Sequence, residues 1–244
     1  VAVLRAAVEL NDGFSDAHRR IGIVLGAAGL SDEAARSLRR ALDLDPESLD
    51  ALAANAAIQN YLDGARPEDA ARSFSHKLIE RAGSLSAHTN EPDPERQLRI
   101  GFCSGDLGAH PVGEFTRSVL NQIDRDRFRL FAYCTRRPAN PMTGYFDVWR
   151  YADRLSDDDL TAQIRADAID ILIDLSGYTL GSRPMVFASK PAPVQASWLG
   201  YSGTTGNPRV DYIIVDGRIV PDEQERFYEE RPWRLPDSYV CWTE

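Results

Sequence analysis

Between residues 98 and 215 the chain repeats one pattern: a short run of β-branched and aromatic residues, then a longer stretch of helical period. The runs are Leu98–Cys103, Phe128–Cys134, Ile169–Leu175, Val194–Trp198 and Tyr212–Val215. Between them Glu114–Gln122 reads as an amphipathic helix, Asp157–Ala168 as a second one capped by Ser156, and Pro184–Ser189 as a short third. Apolar runs without polar alternation are strands covered on both faces, so this order predicts a parallel sheet with helices on each side. Ligands of such sheets bind at the carboxyl ends of the strands, in the loops that follow them.

The first 90 residues have another character. They are rich in alanine, and Phe14, Tyr61 and Phe74 are their only aromatic residues. Ala7-Val8-Glu9-Leu10-Asn11 returns 34 residues later as Ala41-Leu42-Asp43-Leu44-Asp45, and 34 is the period of tetratricopeptide helix pairs. Ile21, Gly22 and Leu25 fall on the first helix of a pair; Ala34, Leu38 and Ala41 fall on the second, which Pro46 ends. Small residues there let the helices approach while the leucines fill the space between. Ser31 is the expected N-cap of the second helix. The next unit departs from the pattern, with Asn55 and Gln59 at apolar positions and extra residues at Gly64-Ala65-Arg66-Pro67. A plain α-helical bundle is the alternative.

The expected class is therefore α + α/β. Residues 1–83 form a tetratricopeptide α-solenoid with a terminal helix, 84–96 a polar linker carrying Pro92 and Pro94, and 97–244 a Rossmann-like parallel α/β lobe. Opening at Val1 inside a helical pattern, the chain is expected to continue from upstream repeats.

Composition excludes several classes. A net charge of −9 argues against nucleic acid and anionic membrane as partners. No apolar run reaches the roughly 18 residues of a membrane-spanning helix, and no signal peptide opens the chain. Cys103, Cys134 and Cys241 are too few and too scattered for a disulfide framework or a cysteine zinc site, which suits a reduced, cytoplasmic compartment. Asp157-Asp158-Asp159 open a helix whose dipole they complement; no metal or other cofactor is expected.

Three loops after strands are rich in glycine and hydroxyls: Ser104–Gly113, Ser176–Arg183 and Leu199–Gly206. Glycine lets backbone come close to a ligand, and hydroxyls and free N–H groups bond sugar or phosphate oxygens. The spacing of Gly101, Gly105 and Gly108 is not the dinucleotide fingerprint, and there is no P-loop. His110 is the one histidine after residue 90. It could accept or relay a proton, or it could brace its loop.

Leu98–Leu107 with His110-Pro111-Val112-Gly113 resembles the first catalytic-lobe strand and loop of the protein O-linked N-acetylglucosamine transferases and their SPINDLY relatives. Asp174–Thr179 with Arg183-Pro184 is similar to the next landmark, and Lys190–Gly206 followed by Asp211–Asp216 to the longest. Ser202 stands where the family has proline. The resemblance implies the N-terminal half of a GT-B glycosyltransferase, inverting and metal-independent, with the second, nucleotide-binding lobe absent. Such an enzyme moves N-acetylglucosamine, or a related sugar, from a nucleotide donor such as UDP-N-acetylglucosamine to Ser or Thr of a protein acceptor recruited by the repeats. It implies His110 as the catalytic residue. The substrate-binding residues would be Pro111, Tyr178, Thr179, Leu199, Gly200, Tyr201, Ser202, Gly203 and Thr204. The alternative is a tetratricopeptide interaction module with a vestigial, inactive lobe.

Overall fold

A computed structural model of the chain describes residues 2–242, so the expectation resting on Val1 lies outside the described residues. The described chain divides into two compact units at Glu80/Arg81.

The first unit is helical: α1 (Ala2–Leu10), α2 (Ser15–Ala27), α3 (Ser31–Leu44), α4 (Leu49–Gln59) and α5 (Pro67–Ala82), the last reaching past the division. Helix α2 packs on α3, and Ile21, Leu25, Ala34, Leu38 and Ile58 form one buried cluster. Gly22 makes the close approach possible, since a Cβ there would stand 2.5 Å from Leu38 Cγ. Ser31 is not the cap of α3. Leu30 is the capping residue without a side-chain bond, and its carbonyl accepts the Ala34 N–H at 2.9 Å, so the helix opens one residue earlier than expected.

The second unit is a seven-stranded, all-parallel sheet: β1 (Leu98–Ser104), β2 (Phe128–Cys134), β3 (Val148–Tyr151), β4 (Ile171–Asp174), β5 (Val194–Trp198), β6 (Tyr212–Asp216) and β7 (Arg231–Leu235). Their order is β3-β2-β1-β4-β5-β6-β7. Helix α6 (Pro111–Leu120) follows β1, α7 (Asp157–Ala166) follows β3 and α8 (Pro184–Ala188) follows β4. The expected strands are all present. Two were not expected, β3 and β7, and both lie at the edges of the sheet.

Alternation along β1, β2 and β4 feeds two cores. Phe102, Leu130, Ala132, Cys134 and Ile173 join Val112 and Leu120 of α6 in one cluster. Cys103, Phe131, Tyr133 and Leu172 join Leu160 and Ile164 of α7 and Val186 and Phe187 of α8 in the other. Both faces are thus covered, as continuous apolar strands require. Ser156 caps α7, its Oγ accepting the Asp159 N–H at 3.1 Å. The segment 84–96 has no regular secondary structure, but it is anchored. Asn90 Nδ2 donates to Asp170 Oδ1 at 2.7 Å and Arg96 Nη1 to Asp170 Oδ2 at 2.8 Å.

The strand order reverses between β1 and β4, with β2 and β3 to one side and β5, β6 and β7 to the other. That reversal is the switch point of the sheet, and in open parallel sheets the loops leaving the strands there are the general place for a ligand.

Candidate active site

The loops after β1 and β4 are joined at the switch point by two buried serines. Ser176 Oγ donates to Ser104 Oγ at 3.3 Å, and Ser104 Oγ accepts the Asp106 N–H at 3.0 Å. From there the first loop runs to His110, which takes extended backbone (φ −151°, ψ 149°) and caps α6, with Pro111 at the first helical position. Helix α6 therefore begins three residues before the expected Glu114. His110 Nδ1 accepts the Val112 N–H at 3.3 Å. With that bond made, a neutral ring would carry its proton on Nε2, which is then a donor; Asp106 Oδ2 lies 3.9 Å from the same Nδ1. His110 and Pro111 are both exposed at this edge.

The second loop is pinned by Asp174, the last residue of β4, whose Oδ1 accepts the N–H groups of Ser176 at 2.8 Å and Gly177 at 3.1 Å. Burial pushes this carboxyl up to about 6 against the pull of those two bonds, with Glu230 adding a smaller like-charge push. Thr179 Oγ1 donates to the Ser176 carbonyl at 2.8 Å, and Tyr178 OH to the Thr205 carbonyl of the third loop at 2.5 Å.

The third loop leaves β5 through a tight reversal. The Gly200 N–H donates to the Trp198 carbonyl at 2.9 Å around Leu199, held at φ +71°. This is a strained γ-type turn, a form that persists where its surroundings over-determine it. The surroundings are Leu175, whose carbonyl would lie 1.8 Å from any Cβ at Gly200. Tyr201 then lies over Gly177 and Gly203, and the Tyr228 OH donates to the Ser202 carbonyl at 2.9 Å. Thr204 and Thr205 turn inward to Glu230, which is 2% exposed. Thr204 Oγ1 donates to Glu230 Oε2 at 2.6 Å, the Thr205 N–H to Oε1 at 2.7 Å, and the Thr205 hydroxyl bonds the same oxygen. Burial pushes the Glu230 carboxyl up, while its threonine partners pull it down.

The structure thus gathers the expected residues on one edge and divides their work. His110 and Pro111 stand on the first loop. Tyr178, Leu199, Gly200, Tyr201, Ser202, Gly203 and Thr204 form the junction of the second and third, and Thr179 lies exposed beside them. The hydroxyls of Tyr178 and Thr204 are spent holding the loops together. Sequence reasoning named Asp174 only as the first residue of a landmark string, without a role, and missed Glu230. The first closes an apolar run in Ile-Asp-Leu-Ser-Gly, and a carboxylate at a strand end before a glycine turn was the available signal. The second sits in Glu229-Glu230-Arg231, which reads as a solvated charge run.

Among the described residues no group of three or more His, Cys, Asp or Glu is placed to hold a metal ion, and no helix is long and apolar enough to cross a membrane. A cavity of about 350 Å³ lies on the flank of β6 and β7, lined by Tyr212, Arg231, Pro232, Trp233 and Arg234. It includes none of the loop residues.

Residues 78–242 match the profile of the family described as Glycosyl transferase family 41. The chain belongs to that family. Among similar proteins, the probable UDP-N-acetylglucosamine–peptide N-acetylglucosaminyltransferase SPINDLY of Petunia hybrida is 32% identical over 83% of this chain and 23% of its own length. The corresponding SEC protein of Arabidopsis thaliana is 34% identical over 59% of this chain and 15% of its own. A solved structure of a mutant O-GlcNAc transferase from Thermobaculum terrenum superposes with a TM-score of 0.90 at 33% identity, over 98% of this chain and 47% of that one. The family 41 chain described here therefore spans about a quarter of the SPINDLY relative and about half of the solved chain.

Proposed function

We propose that this family 41 chain supplies the first catalytic lobe of an inverting, metal-independent glycosyltransferase that moves N-acetylglucosamine from UDP to Ser or Thr of protein acceptors. The observation that carries the reading is the convergence of three tied loops on one edge of the sheet, at the switch point, in a chain of this family. In this reading His110 faces the transferring sugar and the acceptor hydroxyl. Because Nδ1 is occupied by the Val112 N–H, the ring offers Nε2–H as a donor to an oxygen carrying negative charge. Its contribution is then charge stabilisation rather than proton abstraction. Pro111, Thr179 and the Leu199–Thr204 turn would form the wall against which the sugar and acceptor lie.

The helices of the first unit would be tetratricopeptide pairs, with Gly22 and Leu38 as their close contact, that recruit the acceptor. The nucleotide would be held by a second lobe, so the segment alone would be inactive, and a cytoplasmic site of action belongs to the same reading. The test uses the complete gene product with UDP-N-acetylglucosamine and a panel of Ser- and Thr-containing peptides, read by intact mass. A gain of one N-acetylhexosamine on peptide supports the proposal. Peptide binding with no transfer from any nucleotide sugar would sink it in favour of an inactive interaction module.

A further inference from the structure

Arg136 follows β2 at the same edge of the sheet. Its neighbour Thr135 ties this segment to the first and second loops: the Thr135 N–H donates to the Ser104 carbonyl at 2.9 Å, and its hydroxyl to the Gly181 carbonyl at 2.6 Å. The stem of Arg136 lies in a slot between two glycines. A Cβ on Gly105 or on Gly181 would stand 2.7 Å from Arg136 Cδ, so neither position leaves room for a side chain. The methylenes are held by packing while the head stays at the surface.

That head is under-used. Arg136 Nη1 lies 3.6 Å from Asp106 Oδ1, an ion pair too long for a hydrogen bond, and the side chain is 47% exposed. Neighbouring arginines are committed. Arg137 Nε donates to Asp153 at 2.9 Å and its guanidinium lies 4.4 Å from the Tyr151 ring centroid. Arg183 donates to Asp157 at 2.8 Å and to the carbonyls of Ala152 and Leu155. Arg136 keeps an open planar fork, the geometry that receives a carboxylate in two parallel bonds. On the loop that frames its slot, Leu180 stands 72% exposed. A fixed cation beside an exposed leucine matches a polypeptide bearing an acidic residue. A diphosphate has no apolar surface to meet the leucine.

We propose that Arg136 selects the acceptor: its guanidinium receives an Asp or Glu carboxylate close to the modified Ser or Thr, with Leu180 against the acceptor's apolar side. The inference rests on the glycosyltransferase reading and names the class of acceptor that reading leaves open. The experiment uses the complete gene product and pairs of peptides that differ only in Asp against Asn at positions flanking the acceptor hydroxyl. At low salt the wild-type kcat/KM should favour the acidic member by about five-fold at one position, the scale of a half-exposed ion pair, and the preference should shrink as salt rises. R136M keeps the stem in its slot and removes the charge, so the ratio should fall to about one, and R136K should restore part of it. A wild-type ratio of one at every position, a preference insensitive to salt, or one surviving R136M would overturn the inference. Loss of UDP affinity in R136M would do so too, placing the guanidinium on the donor. Transfer without preference leaves the glycosyltransferase reading standing; absence of transfer to any peptide overturns both.

Discussion

The rings of Tyr178 and Tyr201 meet edge to face, their centroids 5.1 Å apart and their planes at 77°. One ring comes from the loop after β4 and the other from the loop after β5. The contact makes one wall from two segments, and such pairs contribute about 0.5–1.5 kcal/mol beyond their burial. The Tyr178 hydroxyl bond to Thr205 closes the same junction.

That wall depends on Gly177. Its backbone sits at φ +54°, and a Cβ there would lie 2.3 Å from Tyr201 Cβ. Gly177→Ala must therefore bear a left-handed backbone and push Tyr201 away, at a cost of about 2 kcal/mol. For a unit of this size the expected fall in melting temperature is roughly 4–8 °C, with a loss of near-ultraviolet tyrosine dichroism. An unchanged melting curve would show that Tyr201 is not held against Gly177.

Asp174 makes stability depend on pH. An aspartate titrates near 3.8 in the unfolded chain, and burial lifts this one to about 6 in the fold. Between those values the folded state holds a proton that the unfolded state lacks. The group's contribution is thus full below about 3.8 and is lost as pH rises through about 6. Above that, the folded state bears a buried charge that its two N–H bonds only partly offset, costing on the order of 2–3 kcal/mol. Asp174→Asn keeps the oxygen that accepts the Ser176 and Gly177 N–H groups and removes the charge. Urea midpoints at pH 7.5 should favour the variant, and the advantage should vanish near pH 4. An equal difference at both pH values would refute the buried-charge account.

Glu230 holds the third loop from below. It accepts the Thr205 N–H, a donor fixed by the backbone, which cannot turn to another partner. Glu230→Met fills the same space and leaves that donor buried and unpaired, at a cost of about 1–3 kcal/mol. Amide hydrogen exchange at Thr205 should then quicken by roughly ten-fold or more. Unchanged exchange would mean that the turn holds itself.

The central strands were legible because both their faces are buried. Leu98–Ser104, Phe128–Cys134 and Ile171–Asp174 read as mainly apolar runs for that reason, with Arg99 and Arg129 confined to the less buried entering ends of the first two. The edge strands were not. β3 is Val-Trp-Arg-Tyr and β7 Arg-Pro-Trp-Arg-Leu; a half-exposed strand keeps its charges, and an edge tolerates a proline that lacks the ladder donor. At the site the glycines and hydroxyls were visible as a composition, but their use was not. Thr204 looks like a ligand group in the string Gly-Thr-Thr-Gly, and only folding brings Glu230 beneath it. The start of α6 was readable from Pro111, since proline favours the first helical position, and the histidine before it then falls on the cap.

That cap decides what His110 can do. Its Nδ1 is taken by the Val112 N–H, so a neutral ring presents a proton, not a lone pair, on Nε2. A general base needs the lone pair; a group that steadies developing negative charge needs the proton. In the complete gene product, His110→Ala should therefore cut transfer by about 10²–10³-fold, the scale of losing one preorganised donor, while UDP affinity stays close to wild type. Removing the ring also uncaps α6, which costs about 1 kcal/mol, so melting has to be measured beside turnover. A fall in rate no larger than the fall in folded protein would leave His110 only as a brace. His110→Gln separates the two chemical roles, because its amide can extend a donor towards the Nε2 position and cannot act as a base. Partial recovery of transfer with glutamine is the expected result, with a rate flat in pH across the range where an imidazole would lose its proton. Turnover as low as in the alanine variant, with the same melting temperature, would return the lone pair to the mechanism and refute the tautomer assigned here.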